Sequence, residues 1–133
     1  LKIVLNSMDI ELDADGESLP SNIDYHWSKD FFKKGVDLEL SILSDLSSLN
    51  PNRTVTRGEI LEMFWEAAGM KTYSANNYTA SDIADSPQKD DIELAYDLNI
   101  TEGYSDGTYE PNNGVNRAEI TKIVYKMRAH FGK

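Results

Sequence analysis

The sequence predicts a mainly α chain made of two tandem helix–loop–helix units behind a short N-terminal β-ribbon. Three observations predict it: a decapeptide that recurs at a fixed offset, apolar positions upstream that keep that offset, and apolar spacing of helical period after each decapeptide. Self-similarity at a fixed period marks a repeat architecture, in which each unit needs a neighbour to cover its apolar face. Pro51-Asn52-Arg53-Thr54-Val55-Thr56-Arg57-Gly58-Glu59-Ile60 lies over Pro111-Asn112-Asn113-Gly114-Val115-Asn116-Arg117-Ala118-Glu119-Ile120, 60 residues on. Without gaps, the same offset pairs Ile23 with Ile83, Phe32 with Ile92, Leu38 with Leu98, Leu40 with Ile100 and Leu49 with Tyr109. Residues 23–70 and 83–133 therefore read as two copies of one unit, with 71–82 as a connector.

Along the chain, residues 1–22 form an extension too short for another copy. Ile3 and Leu5 alternate, as do Met8, Ile10 and Leu12, and this period predicts the ribbon. Trp27, Phe31, Phe32 and Val36 give one face of a first helix. Thr56-Arg57-Gly58-Glu59 has the form of a capping box, followed at helical spacing by Ile60, Leu61, Phe64, Trp65 and Ala68, with Gly69 as the stop. In the second unit Ile92, Ala95 and Tyr96 mark the first helix. Asn116-Arg117-Ala118-Glu119 is the cap, and Ile120, Ile123, Val124, Met127 and Phe131 form the second stripe.

The 133 residues carry 13 Lys and Arg against 23 Asp and Glu, a formal net charge of −10, with no cysteine. The acidic balance argues against wholesale binding to nucleic acid or anionic membrane, which needs a clustered cationic face. Zero Cys removes disulfide frameworks, thiolate zinc sites and cysteine nucleophiles together. No apolar run approaches the roughly 20 residues that cross a bilayer. The chain opens on Leu1-Lys2 without an initiator Met, so the expectation is a piece of a longer polypeptide. Asp13, Asp15 and Glu17 have calcium-loop spacing, but Gly16 is misplaced for an EF-hand, and the reading is an acidic turn. His26 and His130 belong to no metal or triad motif, so neither a metal, a cofactor nor catalysis is expected.

Trp27, the loop Gly103-Tyr104-Ser105-Asp106-Gly107-Thr108-Tyr109-Glu110-Pro111 and the two Arg-bearing caps together resemble tandem S-layer homology motifs. The second copy is the closer match, with Asn99-Ile100, Tyr109 and Asn116 at positions where the pattern has Gly-Ile, Phe and Thr. The first copy has Leu43-Ser44-Asp45-Leu46-Ser47-Ser48-Leu49 in place of the Gly-rich loop and is degenerate. The resemblance implies a secreted bacterial or archaeal surface protein, extracellular or in the cell wall. Its module would be anchored non-covalently to an acidic cell-wall polysaccharide, often one bearing pyruvate ketals. Family members usually join three copies with grooves between them, so another such repeat, from the same chain or a different one, is an expected partner. The alternative is a degenerate structural or protein-interaction module that has lost the glycan.

Thr56 and Glu59, like Asn116 and Glu119, are accounted for by helix capping, which stabilises by around 1 kcal/mol. The arginines are not, because a cation at the first helical position is mildly disfavoured by the helix dipole. Arg117, and after it Arg57, are therefore candidates to hold a glycan carboxylate bidentately. The alternative, a salt bridge to a nearby carboxylate, stays open for both. Asp106-Gly107 makes a tight turn and Gly103 ends the preceding segment. Tyr104, without an aromatic counterpart at Ser44, is the better candidate to stack on a sugar, while Tyr109 and Trp27 are assigned to the core. Under the resemblance the glycan-binding set is Arg117, Arg57, Tyr104, Asp106, Gly107 and Trp27.

Overall fold

The computed structural model describes residues 1–13, 18–73 and 80–133. Its helices are α1 (Lys2–Ser7), α2 (Ser21–Asp24), α3 (Lys29–Asp37), α4 (Arg57–Ala67), α5 (Lys89–Asp97) and α6 (Arg117–His130), with a 3₁₀ turn at Ser41–Leu43. Among the described residues the only extended pairing is one antiparallel bridge, Thr56 with Gly114. The chain is mainly α, as expected.

Local chemistry sets the helix ends. The Glu59 amide donates to Thr56 Oγ1 at 3.2 Å and the Thr56 amide to Glu59 Oε2 at 2.9 Å, so two orphan donors of α4 are satisfied reciprocally. At α6 the Glu119 amide donates to Asn116 Oδ1 at 2.9 Å and the Asn116 amide to Glu119 Oε2 at 3.3 Å. Helix α4 stops at Gly69, φ 68°, which a residue without Cβ adopts freely. The stops after α3 and α5 use Glu39 and Asn99, both at φ 56°. Each is followed by an amide reaching back across the turn, Leu40 to Gly35 O (3.0 Å) and Ile100 to Ala95 O (2.8 Å).

The N-terminal ribbon is corrected: Lys2–Ser7 is helical. Helix α1 buries the consecutive Val4 and Leu5 together with Met8 and leaves Ile3 half exposed. A strand would send two neighbouring side chains to opposite faces, whereas a helix places positions i, i+1 and i+4 together. Over six residues the two periods overlap, and packing against α4 and α6 decides between them. Residues 14–17 of the acidic turn and 74–79 of the connector lie outside the described residues.

The main core gathers α1, α4, α5 and α6 around Leu61, Phe64, Trp65, Ile92, Ala95, Ile123 and Met127. Trp65 is fully buried, and its indole N–H is satisfied by the Asp91 carbonyl at 3.1 Å. A smaller cluster of Leu19, Ile23, Phe32 and Leu43 joins α2, α3 and the 3₁₀ turn. Trp27, expected in the core, is 71% exposed: it precedes α3, and its ring rests beside Phe31 and the Lys2 ammonium. No helix among the described residues is long and apolar enough to cross a membrane.

Along the α4–α5 contact the polar edge is acidic. Burial pushes the Glu62 carboxyl up to about 7, reinforced by Asp91, Glu66 and Glu59 and opposed by the Gln88 amide. Burial likewise raises Asp91 to about 6, reinforced by Glu66 and Asp90. Between their ordinary values of 4.5 and 3.8 and these raised ones, the folded state holds protons that the unfolded chain has released. Stability therefore increases as pH falls through that window and is lost as pH rises through about 6 to 7. Thermal melts are expected to give a higher Tm near about pH 5.5 than near about pH 8, and Glu62→Gln should flatten the difference. An unchanged slope in that variant would remove Glu62 from the account.

Candidate functional site

The start of α4 enters the loop that leads into α6. The Arg57 amide donates to Asn113 O (2.9 Å), the Gly58 amide to Pro111 O (2.9 Å) and the Val115 amide to Val55 O (3.1 Å). The Arg57 side chain follows its backbone inward and is 5% exposed. Its Nε donates to Tyr109 O at 2.8 Å and its Nη1 faces Glu119 Oε2 at 2.9 Å. The guanidinium carbon lies 4.4 Å from the Tyr109 ring centroid and 4.8 Å from that of Tyr104. The Tyr109 hydroxyl donates back to Arg57 O at 3.1 Å. A guanidinium cannot be deprotonated in a protein and is costly to bury alone, so carboxylate, carbonyl and ring faces supply what water would otherwise give.

A cavity of about 190 Å³ opens beside this cation. Arg57, Glu119, Gly103, Tyr104, Glu102 and Lys122 line it. Lys122 is half exposed and paired with Glu102. Tyr104 is 41% exposed and directs its hydroxyl toward Glu119 Oε1, 3.4 Å away. Burial raises its phenol, as do Glu119 and Glu110, against the opposing pull of Arg57. The site thus offers a half-exposed aromatic face, one accessible ammonium and a buried, already neutralised guanidinium.

The loop that carries Tyr104 is held from within and from below. The Tyr104 amide bonds Thr108 O at 2.8 Å and the Gly107 amide bonds Tyr104 O at 3.0 Å, closing a turn with Gly107 at φ 85°. Asp106 accepts from the Thr108 amide (3.0 Å) and hydroxyl (2.7 Å), and these bonds hold its carboxyl below the ordinary value. Underneath, both Asp82 carboxylate oxygens accept 2.8 Å bonds, one from the Tyr109 amide and one from the Glu110 amide.

Of the residues expected at the site, the structure brings together Arg57 and Tyr104, with Glu119 joining them from its cap. Asp106 and Gly107 are exposed on the turn and do not line the cavity. Arg117 is exposed outside it and has no ion-pair partner among the described residues. Trp27 flanks a different cleft, beside Lys2, Phe31 and Pro51. Of the two arginines, Arg57 lines this cavity and Arg117 does not. Thr56 and Glu59, like Asn116 and Glu119, close their capping boxes. At the start of α4 Arg53 grips Glu59 with bonds of 2.9 and 3.0 Å. Burial opposes ionisation of Glu59, but Arg53 and the Thr56 amide outweigh it and lower its pKa.

Sequence reasoning missed Lys122, Glu102 and Asp82. Lys122 and Glu102 are ordinary surface charges until the fold places them at one rim. Asp82 had a usable signal: at the same offset stands Asn22, whose amide donates to Leu49 O at 3.1 Å, the counterpart of Tyr109. Among the described residues, no group of three His, Asp or Glu side chains is arranged to hold a metal ion.

Compared with known proteins, residues 81–121 match the S-layer homology domain family. The amylopullulanase of Thermoanaerobacterium thermosulfurigenes is 38% identical over 65 residues, which are 47% of this chain and 4% of that protein. A cellulosome-anchoring protein of Acetivibrio thermocellus is 31% identical over 87 residues, 62% of this chain and 20% of that protein. The chain thus spans a minor part of each of these relatives. No solved structure matches it.

Gly103 borders the cavity where a side chain has no room. An added Cβ would be 2.5 Å from Thr108 O and would also collide with the Tyr96 hydroxyl. Gly103→Ala is expected to destabilise by roughly 2 kcal/mol, read as a lower urea midpoint at constant m. A midpoint equal to that of the parent chain would mean that the loop shifts without resistance.

Proposed function

Because residues 81–121 are an S-layer homology domain, we propose that the chain is a non-catalytic surface-anchoring module holding an acidic cell-wall polysaccharide at the Arg57–Tyr104 cavity. The likeness to a cellulosome-anchoring protein supports the anchoring role, and an extracellular, cell-surface location goes with it. The likeness to an amylopullulanase carries no catalysis here, since the chain covers 4% of that enzyme. In this reading residues 23–70 and 83–133 are two copies of the motif, the first with a degenerate loop. The matching positions of α3 and α5, and of the Arg57 and Arg117 helix starts, support it.

The observation that carries the proposal is the open aromatic face of Tyr104, fixed against a buried guanidinium and flanked by the Lys122 ammonium. A pyranose ring can stack on Tyr104, and a sugar carboxylate, such as that of a pyruvate ketal, can replace Glu102 as the partner of Lys122. Arg57, already neutralised by Glu119, positions Tyr104 and contributes field rather than a free charge. Net charge of −10 opposes a polyanion at long range, but screening within about 8 Å at physiological salt leaves the local ammonium effective.

The second reading, a degenerate module that has kept the fold and lost the glycan, is favoured by one observation: both cavity cations already have carboxylate partners. Co-sedimentation with purified cell-wall sacculi, before and after chemical stripping of the polymer, separates the two. The proposal expects binding that disappears on stripping and falls at least about tenfold in Lys122→Glu and in Tyr104→Ala, while Arg117→Ala binds as the parent does. Sedimentation indifferent to stripping, or to both cavity substitutions, would select the second reading.

A further inference from the structure

Thr56 and Gly114 face each other in the antiparallel bridge that seats the start of α4. Two hydrogen bonds flank the pair: the Arg57 amide donates to Asn113 O (2.9 Å) and the Val115 amide to Val55 O (3.1 Å). In such a narrow pair the amides of the two facing residues point away from the opposite strand. Thr56 uses its outward amide on Glu59 Oε2 at 2.9 Å. The Gly114 amide has no acceptor among the described residues, and Gly114 is exposed.

The residue before it is Asn113, also exposed, whose Nδ2 donates to Glu110 Oε2 at 2.9 Å. Asn113-Gly114 is the one Asn-Gly pair of the sequence. The side-chain amide carbon of an asparagine is within ring-closing reach of the next backbone nitrogen, and a glycine there has no Cβ to obstruct the approach. The bridge itself asks for this glycine, because an added Cβ would be 3.0 Å from Thr54 Cγ2. Pairs of related chemistry elsewhere are held. The Gly107 amide, which follows Asp106, donates to Tyr104 O at 3.0 Å, and Asn6-Ser7 is inside α1.

We propose that Asn113 is a site of spontaneous deamidation, and that its conversion to isoaspartate unseats the start of α4. The Gly114 nitrogen gives its proton to solvent base and bonds Asn113 Cγ. The Cγ–Nδ2 bond breaks, the side-chain nitrogen leaves as ammonia with a proton from solvent, and a succinimide remains. Water then adds to one ring carbonyl, whose bond to the Gly114 nitrogen breaks as that nitrogen regains a proton. Opening at the backbone carbonyl routes the main chain through Cβ and Cγ, which is isoaspartate; opening at Cγ gives aspartate. In sum the chain takes up one water and releases one ammonia, with no oxidant or reductant. Isoaspartate places an extra main-chain carbon between the two bonds that flank the bridge, so the pairing register cannot satisfy both. It also removes the amide donor of Glu110 and sets a second carboxylate beside it. The inference concerns the bridge and does not rest on glycan binding.

The test ages the chain folded in mildly alkaline buffer and, in parallel, unfolded in urea. The peptide carrying residue 113 is followed by mass spectrometry that resolves isoaspartate from aspartate. In the folded chain residue 113 is expected to convert at least about tenfold faster than any other asparagine. The aged chain is expected to melt about 4 °C or more below the fresh one and to exchange the Val115 amide faster. Asn113→Gln, whose longer side chain closes the ring far more slowly, should age without that loss. Asn113→Asp, which has the charge without the extra carbon, should keep the slow Val115 exchange. A folded chain that retains Asn113 while the urea-unfolded chain converts it would overturn the site. A converted chain with unchanged Tm and Val115 exchange, or an equal loss in aged Asn113→Gln, would overturn its consequence.

Discussion

A guanidinium enclosed by protein must have every face answered, and the contact between the start of α4 and the loop before α6 is organised around that requirement at Arg57. Its amide and carbonyl bond residues 113 and 109, its Nε bonds Tyr109 O, and its charge meets Glu119. The two tyrosine rings cover its faces. Because Glu119 also closes the capping box of α6, one carboxylate fixes a helix start and a long-range ion pair together. Displacing Arg57 would loosen the cap of a helix 60 residues away.

From this constraint the cavity follows. Tyr104 presents its ring because Arg57 lies beneath it. Asp82 holds the end of the loop by the Tyr109 and Glu110 amides, and Gly103 lets Thr108 O and the Tyr96 hydroxyl come close. What is left open to a ligand is therefore small: one half-exposed aromatic face and one ammonium whose own partner is on the surface. Under the proposed anchoring role, a site this small would hold a repeating polymer through several weak contacts rather than one strong one.

The helices were legible where their signals are local. The capping boxes at Thr56 and Asn116 and the stop at Gly69 are formed within a few residues, and the apolar stripes of α4 and α6 face the core as the spacing implied. Signals failed where the answer is tertiary. Six residues cannot separate a period of 2 from one of 3.6, so the α1 pattern reads as a ribbon, whereas the structure buries Val4 and Leu5 side by side in a helix. Trp27 carries the composition of a core residue, but no second layer covers it. Arg57 was singled out because a cation at a helix start has a cost without local gain. Its compensation lies across the junction, with a carboxylate 62 positions away that nothing in the local pattern could name.

The central claim is that Arg57 and Glu119 act as one coupled element holding the start of α4 against the start of α6. A double-mutant cycle measures this directly: urea unfolding of the parent, Arg57→Met, Glu119→Gln and the double variant. The account predicts a coupling free energy of about 1.5 kcal/mol or more, because each single change strands a desolvated charge or its cap. Losses that add to within about 0.5 kcal/mol would contradict it, since the two side chains would then be neighbours without being partners.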